Sequence, residues 1–220
     1  MKAISMRKLT KPLRWGFGLT ALSVVAPRLA IDVTEYINYQ KTVTMVPRPF
    51  TKFLSRHFKK QGSLIGAEIG FGVGKNAENL LRELDIEKLY CIDPYIFSSY
   101  EQSETTINNH VIGNRDIYYR LLNDHRVKFI RLTSDEAFKS HGEWLKDIDF
   151  VYVDGNHDTP FAFRDIINSF KTVKKGGVAG GHDFTTDFKN TVVPAVLHAT
   201  ALLGVKPSVC VPDFWFLKGR

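Results

Sequence analysis

The stretch "GAEIGFGVGKNAENLL", residues 66–81, sets three glycines at alternate positions between an apolar run and an amphipathic one. Gly70, Gly72 and Gly74 are too close together for the interior of any regular element, so the chain must turn sharply here from a strand into a helix. Glycine at such a turn permits positive φ and, lacking a Cβ, lets the backbone pass close to a ligand. The dinucleotide fingerprint would need glycine at the position of Lys75. A phosphate-binding P-loop would need glycine in place of Ile69 and Ser or Thr in place of Asn76. Neither nucleotide motif fits.

From residue 64 the pattern alternates. Strands are expected over "LIGAEIG", "KLYCIDPY", "VKFIRL", "DFVYVDG" and "GGVAGGHDF", and one or two over "SVCVPDFWFLKG". Helices are expected over "NAENLLREL", "DIYYRLLND", "SDEAFKSHGEWL", "PFAFRDIINSFKTV" and "PAVLHATALL". The strands are apolar on both faces. That pattern predicts an α/β fold, a Rossmann-like doubly wound, mostly parallel sheet with helices on both faces. In such a sheet, ligands bind beyond the carboxyl ends of the strands. Glu68, Asp93, Ser134, Asp135, Asp154, His157, His182 and Asp183 all lie at or just after expected strand ends.

"EIGFGVG", from Glu68 to Gly74, resembles the E/D-x-G-x-G-x-G loop of class I S-adenosylmethionine-dependent methyltransferases. Two later segments resemble a narrower branch, the small-molecule and sugar O-methyltransferases that include macrocin O-methyltransferase and the cephalosporin-hydroxylase-like proteins. These are Asp154-Gly155-Asn156-His157, and Lys175-Gly176-Gly177 leading to Gly181-His182-Asp183. The resemblance covers about residues 62–200. It implies that Glu68, Gly70, Phe71, Gly72, Gly74, Asp93, Ser134, Asp135 and Asp154 bind S-adenosylmethionine. Glu68 would meet the amino group of the methionine part and Asp93 the ribose hydroxyls. Ser134 or Asp135 would meet the adenine, with Ser134 also readable as a helix N-cap.

Methyl transfer to an alcohol needs positioning and a base or metal that makes the hydroxyl nucleophilic. The residues expected to do this are Asp154, His157 and His182. The resemblance further implies a divalent ion, Mg2+ or Mn2+, at Asp154, His182 and Asp183. Here His182 stands where metal-binding relatives carry an acid, and imidazole suits softer ions than magnesium. His157 is the leading candidate base, because an unperturbed histidine titrates near neutrality. His57, His110, His125, His141 and His198 are read as structural. The segment 97–114 follows the second strand and is a candidate acceptor cover.

The charge is uneven. Residues 1–60 hold 12 Lys/Arg and two acids, a net of +10, whereas residues 61–220 carry a net of −3. The chain therefore divides into a basic, helical N-terminal extension, 1–60, and a cofactor-binding domain, 61–220. Three readings of the extension stay open: a segment docked on the domain or covering the site, a membrane-surface contact and a targeting signal. The expected partner is a small-molecule or glycan acceptor, and the expected location is the cytoplasm, with contact to the inner membrane surface through the basic residues. A nucleic-acid methyltransferase and a non-catalytic cofactor-binding protein are the rival functions. The first lacks the interleaved aromatic and basic residues that stack bases. The oligomeric state is left open. Two cysteines are too few for a disulfide framework or a zinc site.

Overall fold

The computed structural model describes residues 47–94, 115–140, 142–185 and 192–219. Residues 1–46, the candidate cover at 97–114, and His110 and His141 lie outside the described residues. The sheet has seven strands: β1 (Leu64–Ile69), β2 (Ile86–Ile92), β3 (Val127–Ile130), β4 (Phe150–Val153), β5 (Val178–Gly181), β6 (Ser208–Cys210) and β7 (Asp213–Leu217). Their order is β3-β2-β1-β4-β5-β7-β6. The first five are parallel, and β7 runs antiparallel to both β5 and β6. Between β2 and β4, strand order departs from β1 in opposite directions, which opens the crevice where such folds bind ligands.

Side chains alternate between two apolar layers, as a doubly covered sheet requires. Phe150 and Tyr152 of β4 join one core with α1 (Pro49–His57), α2 (Lys75–Glu83) and α3 (Arg115–Leu122). Val151 and Val153 point the other way, into a core shared with α4 (Ser134–Lys139). A third cluster joins α5 (Thr159–Thr172) and α6 (Val192–Leu203) to β7.

Local chemistry sets the ends. Thr133 caps α4 in a reciprocal capping box with Glu136. The sequence predicts one helix over 134–145, but α4 stops at Lys139. Ser140 Oγ donates to the Ala137 carbonyl at 2.7 Å, and a short 3-10 turn at Glu143–Leu145 follows. Trp144 on that turn then reaches back, its Nε1 donating to the same carbonyl at 3.3 Å. At the foot of the sheet, the buried Asp149 carboxylate accepts from Ile65 N at 2.8 Å and pairs with Lys174 Nζ at 2.6 Å. Among the described residues, no helix is long and apolar enough to cross a membrane.

Residues 49–57, assigned by charge to the N-terminal extension, form α1. Its Phe50 and Leu54 are fully buried, and Phe50 packs among the rings of Phe150, Tyr152 and Trp215 at 5.1–6.3 Å. The described part of the extension is thus docked into the core. Phe50→Ala should cost about 3–5 kcal/mol in chemical unfolding, the usual cost of emptying a packed aromatic site. A loss below about 1 kcal/mol would mean that α1 is an appendage rather than part of the core.

Candidate active site

Strand register builds the site. The last aligned residues are Ile92, Ile69, Val153 and Gly181 on β2, β1, β4 and β5. One step further, Asp93, Gly70, Asp154 and His182 emerge in a row across four adjacent strands. Each is held by a backbone bond to its neighbour: Asp93 N to Ile130 O, Gly70 N to Ile92 O, Asp154 N to Ile69 O and His182 N to Val153 O, at 2.8–3.1 Å.

The glycine loop hangs from this row. Gly70, Gly72 and Gly74 have φ of 85°, 52° and 84°. A Cβ on Gly70 would lie 2.1 Å from the Asp154 carbonyl oxygen, so close packing against β4 demands glycine there. Gly72 differs, since nothing lies within 4 Å of its Cβ position. Its N–H donates to Asp93 Oδ2 at 3.0 Å. The Phe71 ring is buried and edge-on to Phe129 at 4.9 Å, so only its backbone can serve a ligand.

Glu68 is 1% exposed. Its Oε1 accepts from Asn76 Nδ2 at 2.9 Å, while Oε2 has no partner among the described residues. Burial pushes the Glu68 carboxyl up to about 8, against the opposing bond from Asn76.

The second half of the site is a charged cluster at the heads of β4 and β5. His157 Nε2 donates to Asp183 Oδ2 at 2.9 Å and lies 3.7 Å from Asp154 Oδ1. His182 Nδ1 lies 3.1 Å from Asp183 Oδ1 and 3.9 Å from Asp154 Oδ1. Asp183 holds its place with φ of 60°, a backbone that non-glycine residues seldom adopt. Asp154 and Asp183 together push His157 up to about 10. Burial would raise Asp183 and Asp154, but the histidines, joined at Asp154 by Arg48, outweigh it and both carboxyls fall below their ordinary range. At neutral pH, His157 in this arrangement is therefore an imidazolium. The neighbouring carboxylates hold the proton on the ring, so a role for His157 as base depends on their charge. Asp154, His182 and Asp183 can each offer one ligand atom within 4.8 Å of the others. Two carboxylates and an imidazole fit a divalent ion of mixed oxygen and nitrogen preference, more manganese-like than magnesium-like.

Ser134 and Asp135 are turned toward α5. The N-cap of α4 is Thr133 rather than Ser134. Ser134 is hydrogen-bonded to the buried Asp165, whose carboxyl burial pushes up to about 7. Asp135 pairs with Arg164 at 2.9 Å. His57, read as structural, bonds the Gly176 carbonyl oxygen at 2.9 Å.

Sequence patterns missed Arg48, Asn76, Tyr152 and Asp213. Arg48 Nη1 donates to Asp154 Oδ2 at 2.9 Å and to the Tyr152 hydroxyl at 2.6 Å. The Tyr152 hydroxyl donates to Asp213 Oδ1 at 3.1 Å, and Asp213 Oδ2 accepts from Phe50 N at 2.9 Å. The signal available for Arg48 was its setting, Pro47-Arg48-Pro49, just ahead of a helix. For Tyr152 it was a hydroxyl two residues before the strand-end Asp154.

Residues 67–184 match the model of a family described as "Methyltransferase domain". No curated protein sequence matches the chain significantly. Among solved structures, the chain is similar to spermidine synthase from Thermotoga maritima, at a TM-score of 0.51 and 12% identity, covering 78% of this chain and 60% of that one. It is also similar to the precorrin-6y C5,15-methyltransferase of Geobacter metallireducens GS-15, at 0.50 and 13% identity, covering 86% and 95%. The O-methyltransferase TomG of Streptomyces achromogenes, in complex with SAM, aligns at 0.49 and 15% identity over 96% and 100%.

The contrast between two glycines is testable without a ligand. Gly70→Ala collides with the Asp154 carbonyl and should leave little folded protein in thermal or denaturant unfolding. Gly72→Ala meets open space and should cost only about 1–2 kcal/mol, the price of a left-handed backbone for an L-residue.

Proposed function

The chain belongs to the methyltransferase-domain family, and on that premise we propose that it moves the methyl group of S-adenosylmethionine onto a hydroxyl of a small molecule or glycan. The observation that carries this reading is the Glu68 oxygen, buried and without a partner among the described residues, on the strand that leads into the glycine loop. A buried acceptor left unpaired costs about 1–3 kcal/mol, and the ammonium of the methionine part would satisfy it. Gly72 leaves room for the ligand to lie against the backbone. Asp93, beside it, would receive the ribose hydroxyls.

S-adenosylmethionine supplies a methyl group on a sulfonium, transferred by in-line displacement. The acceptor oxygen must lose its proton, and the cluster at Asp154, His157, His182 and Asp183 is where that happens. A divalent ion held by Asp154, His182 and Asp183 would supply Lewis acidity toward the acceptor hydroxyl. His157 carries a proton because two carboxylates face it. Were their charge neutralised, its Nε2 would return toward the ordinary histidine range, where it would take the hydroxyl proton. A sugar or glycoconjugate is the acceptor class we favour, on the Asp154–His157 and Gly176–Asp183 segments. We place the enzyme in the cytoplasm, with its basic N-terminal region against an anionic membrane surface.

Calorimetric titration with S-adenosylmethionine and its demethylated product, with and without Mg2+ or Mn2+, tests this reading. Binding of either is expected, and no binding to folded protein would refute it. Asp154→Ala should retain the fold and lose turnover, assayed as methyl transfer to hydroxylated acceptors.

The Glu68 carboxyl gives a pH signature. Its ionised form binds the ammonium, and its pKa is about 8 without ligand. Below that value binding must release a proton, so affinity should rise about tenfold per pH unit between roughly pH 6 and 7.5. Glu68→Gln should bind more weakly and lose that slope. A slope unchanged in the variant would assign it to another group.

A further inference from the structure

We infer that Arg48 is a positioning residue of the active site, delivered by the first helix and holding Asp154 so that one carboxylate oxygen is presented to His157, His182 and Asp183. The contacts of Asp154 divide cleanly. Oδ2 is taken by Arg48 Nη1 at 2.9 Å, and Oδ1 lies 3.7 Å from His157 and 3.9 Å from His182. A carboxylate turns about a single bond, so fixing one oxygen fixes the direction of the other.

Arg48 is itself fixed from three sides. Its backbone sits between Pro47 and Pro49, and its φ of −61° and ψ of 156° are the extended conformation that a following proline favours. The same guanidinium nitrogen reaches the Tyr152 hydroxyl at 2.6 Å. Tyr152, fully buried, passes the constraint to Asp213, which accepts the backbone N–H of Phe50 in the first turn of α1. Four residues from three separated stretches therefore close on one another. None of these contacts depends on a ligand, and the chain of bonds ends on the oxygen opposite the one facing the histidines. Arginine suits the role because its charge is permanent and its planar group holds a fixed direction; lysine offers a mobile point charge.

The kinetic consequence rests on the methyltransferase reading, while the geometric one does not. The experiment separates them. Purified full-length protein, wild type and Arg48→Met, is compared by long-range nitrogen–proton correlation spectra of the histidine rings, with thermal unfolding and S-adenosylmethionine titration on the same samples. With Arg48→Met folded, we expect displaced His157 and His182 ring resonances and unmoved His198 resonances. S-adenosylmethionine affinity is compared at about pH 9, where Glu68 is ionised with or without the Arg48 charge that helps to lower its pKa, and a fall there of more than about tenfold would place Arg48 in cofactor binding instead. With an acceptor in hand, kcat should fall on the order of 10–100-fold, the range for residues that orient a functional carboxylate. Unmoved His157 and His182 resonances overturn the proposal. So does a shift shared equally by His198, which would mark a general loosening. If Arg48→Met does not fold, the same spectra of Arg48→Lys decide in the same way. Failure of the wild type to bind S-adenosylmethionine would refute the cofactor reading and leave the ring resonances to judge Arg48.

Discussion

Two carboxylates end neighbouring parallel strands, and the structure depends on how their repulsion is relieved. Asp154 and Asp183 follow β4 and β5 at the spacing of adjacent strands, mostly shielded from water. Like charges so placed would resist the close of the sheet at its working end. Three groups converge to relieve it: the His157 imidazolium from the turn before α5, the His182 ring from the end of β5, and Arg48 from ahead of α1. Each comes from a different part of the chain. The Arg48 position ahead of α1, the left-handed backbone of Asp183 and the turn that carries His157 all meet at this one pair of carboxylates.

Much of the architecture was legible because its signals are local. Alternating apolar runs gave the strands, and the glycine cluster gave the first turn. The rule of strand ends pointed to Asp93, Asp154, His182 and Asp183. The row that joins Asp93, Gly70, Asp154 and His182 was not legible, since it depends on register between strands far apart in sequence. Arg48 escaped for a related reason. A single arginine in a basic region carries no periodicity, and only the tertiary fold brings it to Asp154.

Local signals also left out the tertiary partners. Ser134 and Asp135 sit after a strand, as adenine-binding residues would. In the structure they tie α4 to α5 through Asp165 and Arg164. His157 reads as a neutral-range base by residue type, yet two carboxylates change its charge state. The helix expected over 134–145 is cut short because Ser140 bonds back to the carbonyl that helix continuation would have used. In each case the composition was right, and the missing information was which group stood opposite.

The relay through Tyr152 has a consequence for inheritance. The family match spans residues 67–184, and Tyr152 lies inside it. Arg48 and Asp213 lie outside, one on either flank, and both bond the same hydroxyl. Two chains alike over the matched segment can therefore differ in how Asp154 is held. Drift in the flanks, which resemblance to the family does not register, would change how that carboxylate is held while the glycine loop stays the same.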